Sequence, residues 1–305
     1  MSSPDGLLAV VSSTLVDFWV EEGCGLLDPW DGELSARSLN PQFFFALAHP
    51  TTVRWVTRQV VRQPSEARYG RSPVRQVRST QIRVLMRPAA EDFFARFLES
   101  LRQPDLGLAE RELRLRPIEW RVRDLGVGGA GWMVLIDGLL VARWVEVTAA
   151  GGEAVVPAAT EITYGLERLA LVASDDRSLA GLQRGHCREL AAQRSAEEQE
   201  LSRHLLEVLD ETELMQDLER ELASAERALE ERLAVPAFES ILRGVQHAEV
   251  LRARGAFRTL REARGGLRLT ELSAACRRLA GVRRRPEEPP AEAQPAAEGA
   301  GDADV

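Results

Sequence analysis

The stretch Thr160-Glu161-Ile162-Thr163-Tyr164-Gly165-Leu166-Glu167-Arg168-Leu169-Ala170 decides the fold of this chain. Its first part carries β-branched residues at the spacing of alternating faces, which is typical of the end of a strand. After Gly165 the apolar residues recur at helical spacing and predict a helix. Arg168 then lies on the first turns of that helix, where its guanidinium suits a phosphate or a carboxylate. A surface ion pair with Glu167 or Glu161 is the alternative.

The composition indicates a globular protein with more acidic than basic residues. The chain has 305 residues, of which 45% are hydrophobic, so it can form one large domain with a sizeable core and a smaller second domain. Its formal net charge is −8. This charge disfavours a protein that binds nucleic acid by itself, because affinity for phosphate comes mainly from clustered Lys and Arg. The sequence contains Arg but no Lys, which excludes a catalytic lysine.

The cysteines and the hydropathy pattern exclude several other classes. Cys24, Cys187 and Cys276 are far apart and form no CxxC pair, so neither a disulfide framework nor a zinc ribbon is predicted. The adjacent His186 has no partner pair at ligand spacing, and we expect no metal held by protein ligands alone. There is no signal segment and no apolar run of about 18 residues. We therefore expect a soluble, cytoplasmic protein without membrane contact.

Two predicted strands enclose a loop rich in arginine. Residues 53–62 and 77–87 have the β-branched and alternating pattern of strands. Arg62, at the end of the first strand, and Arg68, Arg71 and Arg75 in the loop place four arginines close together in sequence. They form an anion site only if the fold makes them converge. A solvated or RNA-facing loop is the alternative.

Periodicity and turn residues predict the remaining elements. Gly126, Gly128, Gly129 and Gly131 predict a tight turn, and Asp137-Gly138 is a hairpin signal. The other predictions are helices over 6–22 and 90–103, a loop over 25–40, strands over 111–120 and 132–148, a long helix over 188–234 that Pro236 ends, and at least two helices over 237–281.

The run EITYGLERLA resembles the third signature motif of class II aminoacyl-tRNA synthetases. More narrowly, it is similar to that motif in the α subunit of the bacterial two-subunit glycyl-tRNA synthetases. Glu22-Gly23-Cys24, Arg68-Tyr69-Gly70 and Ala253-Arg254-Gly255-Ala256 also resemble that α subunit, and the two strands with their arginine-rich loop resemble class II motif 2. The resemblance extends, with gaps, from about Leu15 to Ala280.

The resemblance implies an α+β fold with a six-stranded, class II synthetase-like antiparallel sheet flanked by helices. An all-helical C-terminal domain follows the sheet. The implied boundaries are residues 1–175 for the catalytic domain and 176–283 for the helical domain. Residues 284–305, rich in Pro, Ala and Glu, are expected to form a disordered tail.

The resemblance also implies a function and its partners. The chain would be a glycine–tRNA ligase α-subunit-like protein, which activates glycine with ATP and Mg and transfers it to tRNA together with a β subunit. A homodimer of α chains is expected. The β subunit would make most of the tRNA contacts, which agrees with the acidic charge of this chain.

Specific residues take roles through this resemblance. Arg62 and Arg168 are the catalytic candidates, because the matching arginines hold the triphosphate of ATP. Positioning and charge stabilisation would then drive the reaction without a protein nucleophile. The candidate ATP-binding residues are Arg62, Arg68, Tyr69, Arg75 and Arg168, and the candidate amino-acid-binding residues are Glu33, Gln81, Trp132 and Glu161.

Several positions depart from the family pattern on the amino-acid side. Met133 and Ala142 replace polar residues, although a glycine site depends on paired charges and hydrogen bonds because glycine buries little apolar surface. Arg83 and Arg143 add positive charge where an ammonium would bind. We therefore expect retained ATP binding but weak or absent glycine activation, unless a neighbouring glutamate such as Glu161 neutralises these arginines. The alternative function is a divergent paralogue with lost or altered activation that acts as a binding or regulatory protein.

Overall fold

The chain folds around one seven-stranded sheet. The computed structural model describes residues 6–72, 74–89, 92–174, 188–256 and 260–282. The strand order is β1-β2-β3-β7-β6-β5-β4, and all neighbouring strands are antiparallel except the parallel pair β1 and β2. The strands are β1 (Gly25–Leu27), β2 (Val53–Arg62), β3 (Arg78–Arg87), β4 (Leu113–Val122), β5 (Val127–Ile136), β6 (Leu139–Ala150) and β7 (Glu153–Gly165).

Helices cover both faces of this sheet. One face packs against α1, α3 and α4, and includes Ile82 and Val84 of β3. The other face packs against α6, α7 and α8, and includes Leu85 of β3 and Val145 of β6. The helices are α1 (Leu7–Glu21), α2 (Pro41–Ala46), α3 (Phe93–Ser100), α4 (Leu166–Ala173), α5 (Arg188–Arg203), α6 (Glu211–Glu230), α7 (Ala234–Ala253) and α8 (Leu260–Val282).

The sheet confirms the predicted α+β class. Strands β2 and β3 lie where the alternating pattern predicts them, and β7 runs directly into α4 through Gly165. Six antiparallel strands form the predicted sheet. The parallel β1 was missed, because three residues are too few to show a periodicity.

The prediction of a glycine turn is wrong for three of its four residues. Gly126 does lie in a turn, with φ of 56°, but Gly128, Gly129 and Gly131 lie within β5. A Cβ atom on Gly129 or Gly131 would overlap backbone carbonyl oxygens of β6. These glycines therefore allow two backbones to approach closely, which a sequence cannot distinguish from a turn. The hairpin signal at Asp137-Gly138 is confirmed by positive φ values of 49° and 78°.

The predicted helix over 188–234 is interrupted. Helix α5 continues into a π-helix over His204–Val208, and α6 then begins after the N-cap Asp210. The Asp210 carboxylate accepts hydrogen bonds from the backbone N–H groups of Thr212 at 2.8 Å and Glu213 at 3.0 Å. Pro236 lies in the first turn of α7, where a missing N–H is tolerated.

Two expectations remain, one on the C-terminal tail and one on membrane-spanning helices. The predicted tail over 284–305 lies outside the described residues. Of the helices in the described ranges, none is both long enough and apolar enough to cross a membrane.

Candidate functional site

A cavity of about 530 Å³ lies on the sheet face that α6, α7 and α8 also cover. Strands β3, β4, β5, β6 and β7, the loop between β2 and β3, the segment before α2 and the start of α4 form its wall. Gln81, Met133, Arg143, Thr163 and Arg168 line it. The passage from β7 into α4, which the local sequence predicts, places Arg168 in the wall.

Arg168 faces the loop between β2 and β3. Its Nη2 lies 3.8 Å from Oε2 of Glu66, and its Nη1 donates to the carbonyl oxygen of Leu140 at 3.4 Å. The predicted alternative, an ion pair with Glu167 or Glu161, does not form. The same Glu66 oxygen lies 3.7 Å from Nε of Arg75. Glu66 thus brings two of the predicted ATP-binding arginines to one place.

Helix α5 fastens the middle of this loop. The backbone N–H of Tyr69 donates to Oγ of Ser202 at 2.9 Å. Gly70 has a φ of 66°, and a Cβ atom there would meet the carbonyl oxygen of Ser195 at 2.6 Å. The hydrogen bond to Glu207 raises the pKa of the Tyr69 hydroxyl. The loop therefore follows α5 closely along these residues.

A buried glutamate of α5 holds the end of the loop. The Glu198 carboxylate accepts the backbone N–H groups of Val77 at 2.6 Å and Arg78 at 2.9 Å. Only 6% of Glu198 is exposed, and burial raises the pKa of its carboxyl group. No sequence signal predicted this contact, since the two partners are 121 and 120 residues apart.

Two of the predicted ATP-binding arginines, Arg62 and Arg68, are not among the described residues that line the cavity. Nη1 of Arg68 donates to the carbonyl oxygens of Ser65 at 3.3 Å and Ala67 at 2.5 Å, so it stabilises its own loop. Nε of Arg62 lies 3.9 Å from Oε1 of Glu33. The structure therefore places Arg168 in the wall and leaves Arg62, the other predicted catalytic residue, beside it.

Glu33 and Trp132 also lie outside the described wall. Oε1 of Glu33 accepts a hydrogen bond from Nε2 of Gln246 on α7 at 3.2 Å. Trp132 follows the alternation of β5, so it points away from the face that Met133 lines. Its ring centroid lies 6.3 Å from that of Phe94 on α3. The structure does not bring these two predicted amino-acid contacts together with Gln81.

Arg83 lies on β3 two residues from Gln81, contacts it, and is not among the described residues that line the cavity. The side chain is fully buried, and its Nε donates to Oε1 of Gln81 at 2.8 Å. Its Nη2 donates to the carbonyl oxygen of Ala36 at 3.1 Å, and its Nη1 to that of Ser38. Burial lowers the pKa of Arg83 to about 10, although the nearby Glu161 opposes this shift. Arg83 thus fixes the segment before α2 under the sheet.

The Glu161 carboxylate forms an ion pair with Arg143. Nη2 of Arg143 donates to Oε2 of Glu161 at 2.9 Å and to Oγ1 of Thr163 at 3.0 Å. The Arg143 guanidinium also lies 4.4 Å from the ring centroid of Trp120, a cation–π geometry. Glu161 is fully buried, and among the described residues its Oε1 has no hydrogen-bond partner, whereas Oε2 accepts from Arg143. One carboxylate therefore faces two guanidinium groups, those of Arg143 and Arg83.

The cavity wall carries guanidinium groups, those of Arg143 and Arg168 among them, which suit an anionic small molecule. In the described ranges, no three His, Cys, Asp or Glu side chains form a metal-binding group. The pair His186 and Cys187 lies outside those ranges. The cavity volume is typical of small-molecule sites, and Arg75 and Arg168 supply cations beside it. The lists of predicted ATP-binding and amino-acid-binding residues did not include Glu66, Arg143 or Trp120. For Glu66, its position as a carboxylate within an arginine-rich loop could have indicated a role.

Two kinds of similarity connect the chain with known proteins. The family model of the glycyl-tRNA synthetase alpha subunit matches residues 9–282. The glycine–tRNA ligase alpha subunit of Coprothermobacter proteolyticus is 31% identical over 264 residues, which cover 86% of this chain and 90% of the relative. A solved structure, pyrrolysyl-tRNA synthetase from Desulfitobacterium hafniense, aligns with a TM-score of 0.41 and 12% identity over 59% of this chain and 73% of that chain. The sequence matches include both the sheet and the helices that follow it.

Proposed function

The chain belongs to the glycyl-tRNA synthetase α-subunit family, and we propose that it acts as a glycine–tRNA ligase α-like subunit. In this reaction the carboxylate of the amino acid attacks the α-phosphate of ATP, which gives an aminoacyl-adenylate and releases pyrophosphate. The aminoacyl group then passes to tRNA, and AMP is released. The residues described above supply charge and position, and the reaction needs no covalent bond to the protein.

The observation that carries this proposal is the position of Arg168. It lies in the cavity wall at the start of α4, with Arg75 on the other side of Glu66. A guanidinium presents a planar fork of donors that matches phosphate oxygens. Mg²⁺ commonly binds through one or two carboxylates together with the phosphates of a nucleotide, and the wall holds carboxylates, Glu119 and Glu167 among them. When bound, the ion would neutralise part of the triphosphate charge.

Calorimetric titration of Arg168→Ala with ATP tests this function. Losing a charge-assisted contact should weaken binding by about 1.5–3 kcal/mol, which corresponds to at least about tenfold. Arg114→Ala is the matched control, because Arg114 is exposed on β4 and pairs with Glu112. An Arg168→Ala variant that binds ATP as tightly as the control would remove Arg168 from the site.

The partners follow from the family. We propose a homodimer of α chains that works with a β subunit in the cytoplasm, with most tRNA contacts on the β subunit. The net charge of −8 supports weak binding of tRNA by this chain alone. Light scattering and a tRNA gel shift test both points. A monomer that binds tRNA tightly at physiological salt would contradict them.

A second candidate function is supported by Arg143 and Arg83. Glu161 neutralises only one of these two charges, and Met133 adds apolar surface beside them. This arrangement favours a family member with lost or altered amino-acid activation that acts as a binding or regulatory protein. ATP–pyrophosphate exchange with a panel of amino acids, with and without a β subunit, distinguishes the two. Exchange that depends on glycine supports the first function.

A further inference from the structure

We propose that Glu66 is an internal competitor for the phosphate groups of ATP. Its carboxylate occupies the place between Arg75 and Arg168 where a phosphate would bind, and the incoming nucleotide displaces it. This inference rests on the proposed function, because it names the position at which the cavity takes its anion and the residue that limits the affinity there.

The geometry around Glu66 is that of a loosely held anion. Its Oε2 lies 3.7 Å from Arg75 and 3.8 Å from Arg168, and both distances exceed a normal hydrogen bond. Among the described residues this oxygen has no hydrogen-bond partner, although it is buried. A buried polar atom without a partner is costly, whereas phosphate oxygens can form short, charge-assisted bonds to two guanidinium groups. Exchange of the carboxylate for a phosphate therefore improves the pairing of both arginines.

The other glutamates of the wall differ from Glu66 in this respect. Glu119 accepts a hydrogen bond from Arg121 at 3.1 Å. Glu167 accepts the backbone N–H of Thr80 at 2.9 Å. Each thus has a donor that is independent of Arg75 and Arg168. Only for Glu66, of these three, would a phosphate compete for the same cations.

The backbone around Glu66 allows a local movement. Glu66 ends the single 3-10 turn Pro64–Glu66, which two backbone hydrogen bonds close at 2.9 and 3.1 Å. The next part of the loop is fastened to α5 through Tyr69. The carboxylate can therefore leave the two arginines by a side-chain rotation, without a change in any helix or strand.

The test is a titration of Glu66→Gln with inorganic tripolyphosphate and with ATP, without added Mg²⁺. Glutamine keeps the shape of the side chain and removes its charge. We expect both ligands to bind about tenfold more tightly, the size of one charge-assisted hydrogen bond regained. Glu112→Gln is the matched control, because Glu112 is exposed, pairs with Arg114 and does not line the cavity, and it should bind as the unmodified chain does. Glu66→Ala, which removes the whole carboxylate, should also bind more tightly, and thermal unfolding shows which variants are folded.

The outcomes separate this inference from the proposed function. If the unmodified chain binds ATP and Glu66→Gln binds it equally or more weakly, Glu66 is not a competitor, while the function stands. If neither the unmodified chain nor the two Glu66 variants bind ATP or tripolyphosphate, the anion site itself is absent and both proposals fail. Tighter binding of ATP and tripolyphosphate by the Glu66 variants alone, with Glu112→Gln unchanged, supports the competitor.

Discussion

Replacing Glu198 by alanine should loosen the loop between β2 and β3 and destabilise the fold. The carboxylate is 6% exposed and accepts two backbone N–H groups, those of Val77 and Arg78, at 2.6 and 2.9 Å. In the alanine variant both donors lose their partner next to the first residue of β3. The loop then keeps its attachment to α5 mainly through Tyr69 and Ser202.

The magnitude follows from these two hydrogen bonds. A hydrogen bond to a charged group contributes about 1.5–3 kcal/mol, and an unpaired buried donor costs a comparable amount. Burial of the carboxylate offsets part of this, as the raised pKa of Glu198 indicates. We expect a net loss of about 2–4 kcal/mol in the free energy of unfolding. The melting temperature should then fall by at least about 4 °C.

Thermal and urea unfolding measure this loss, and calorimetry measures ATP affinity. Glu197→Ala is the control, because Glu197 is the preceding residue on α5, is 37% exposed at its side chain and lies 3.7 Å from Arg78. It should change stability by less than about 1 kcal/mol. If Glu198→Ala unfolds at the same denaturant concentration as Glu197→Ala, the two backbone hydrogen bonds do not hold the loop, and the reasoning fails.

Three further predictions concern the sheet and the charges of the cavity. Gly131→Ala should destabilise the fold by about 3 kcal/mol or more, because its Cβ atom would overlap the backbone of β6. In Gly128→Ala the Cβ atom meets its nearest atom at 3.5 Å, so this control should cost about 1 kcal/mol or less. Urea unfolding compares the two variants. Burial raises the pKa of Glu167, so folding takes up a proton and stability falls as pH rises from the ordinary carboxyl pKa through the raised one. Glu198 and Glu249 contribute in the same direction, so Glu167→Gln should reduce that slope in urea unfolding at stepped pH, and an unchanged slope would contradict this. Glycine-dependent pyrophosphate exchange should be weak in the unmodified chain. It should rise in Arg143→Gln, because this change removes one of the two guanidinium charges that face Glu161. No rise would show that the charge of Arg143 does not limit glycine binding.

Local patterns predicted the parts of the fold that depend on neighbours in sequence. The strand and helix around Gly165 follow from a change of period within eleven residues, from Thr160 to Ala170, and the structure has both. The alternating pattern over 77–87 predicted β3, and in the structure its apolar residues divide between the two cores. Ile82 and Val84 lie in one core, and Leu85 lies in the other.

The parts that depend on distant partners could not be predicted in this way. The partners of Arg83 are backbone carbonyl oxygens 45 and 47 residues away, which no periodicity reveals. Trp132 matches a family motif, but the motif does not state the sheet face, and the neighbouring Met133 lines the cavity instead. The close approach of β5 and β6 at Gly131 likewise appears only when the two strands are paired. Sequence thus predicted the site's elements and only part of its wall.

The packing of the C-terminal helices on the sheet has a consequence for how this gene can change. Leu222, Phe238 and Leu269 lie in the same core as Leu85 and Val145 of the sheet. A chain cut after residue 175 would leave that sheet face uncovered and would also remove α5, which holds the loop beside the cavity. Recombination that exchanged these helices for an unrelated module would therefore also remove the contacts between α5 and the loop beside the cavity. We expect inherited changes in α5 to alter the loop beside the cavity even though the two segments lie far apart in sequence.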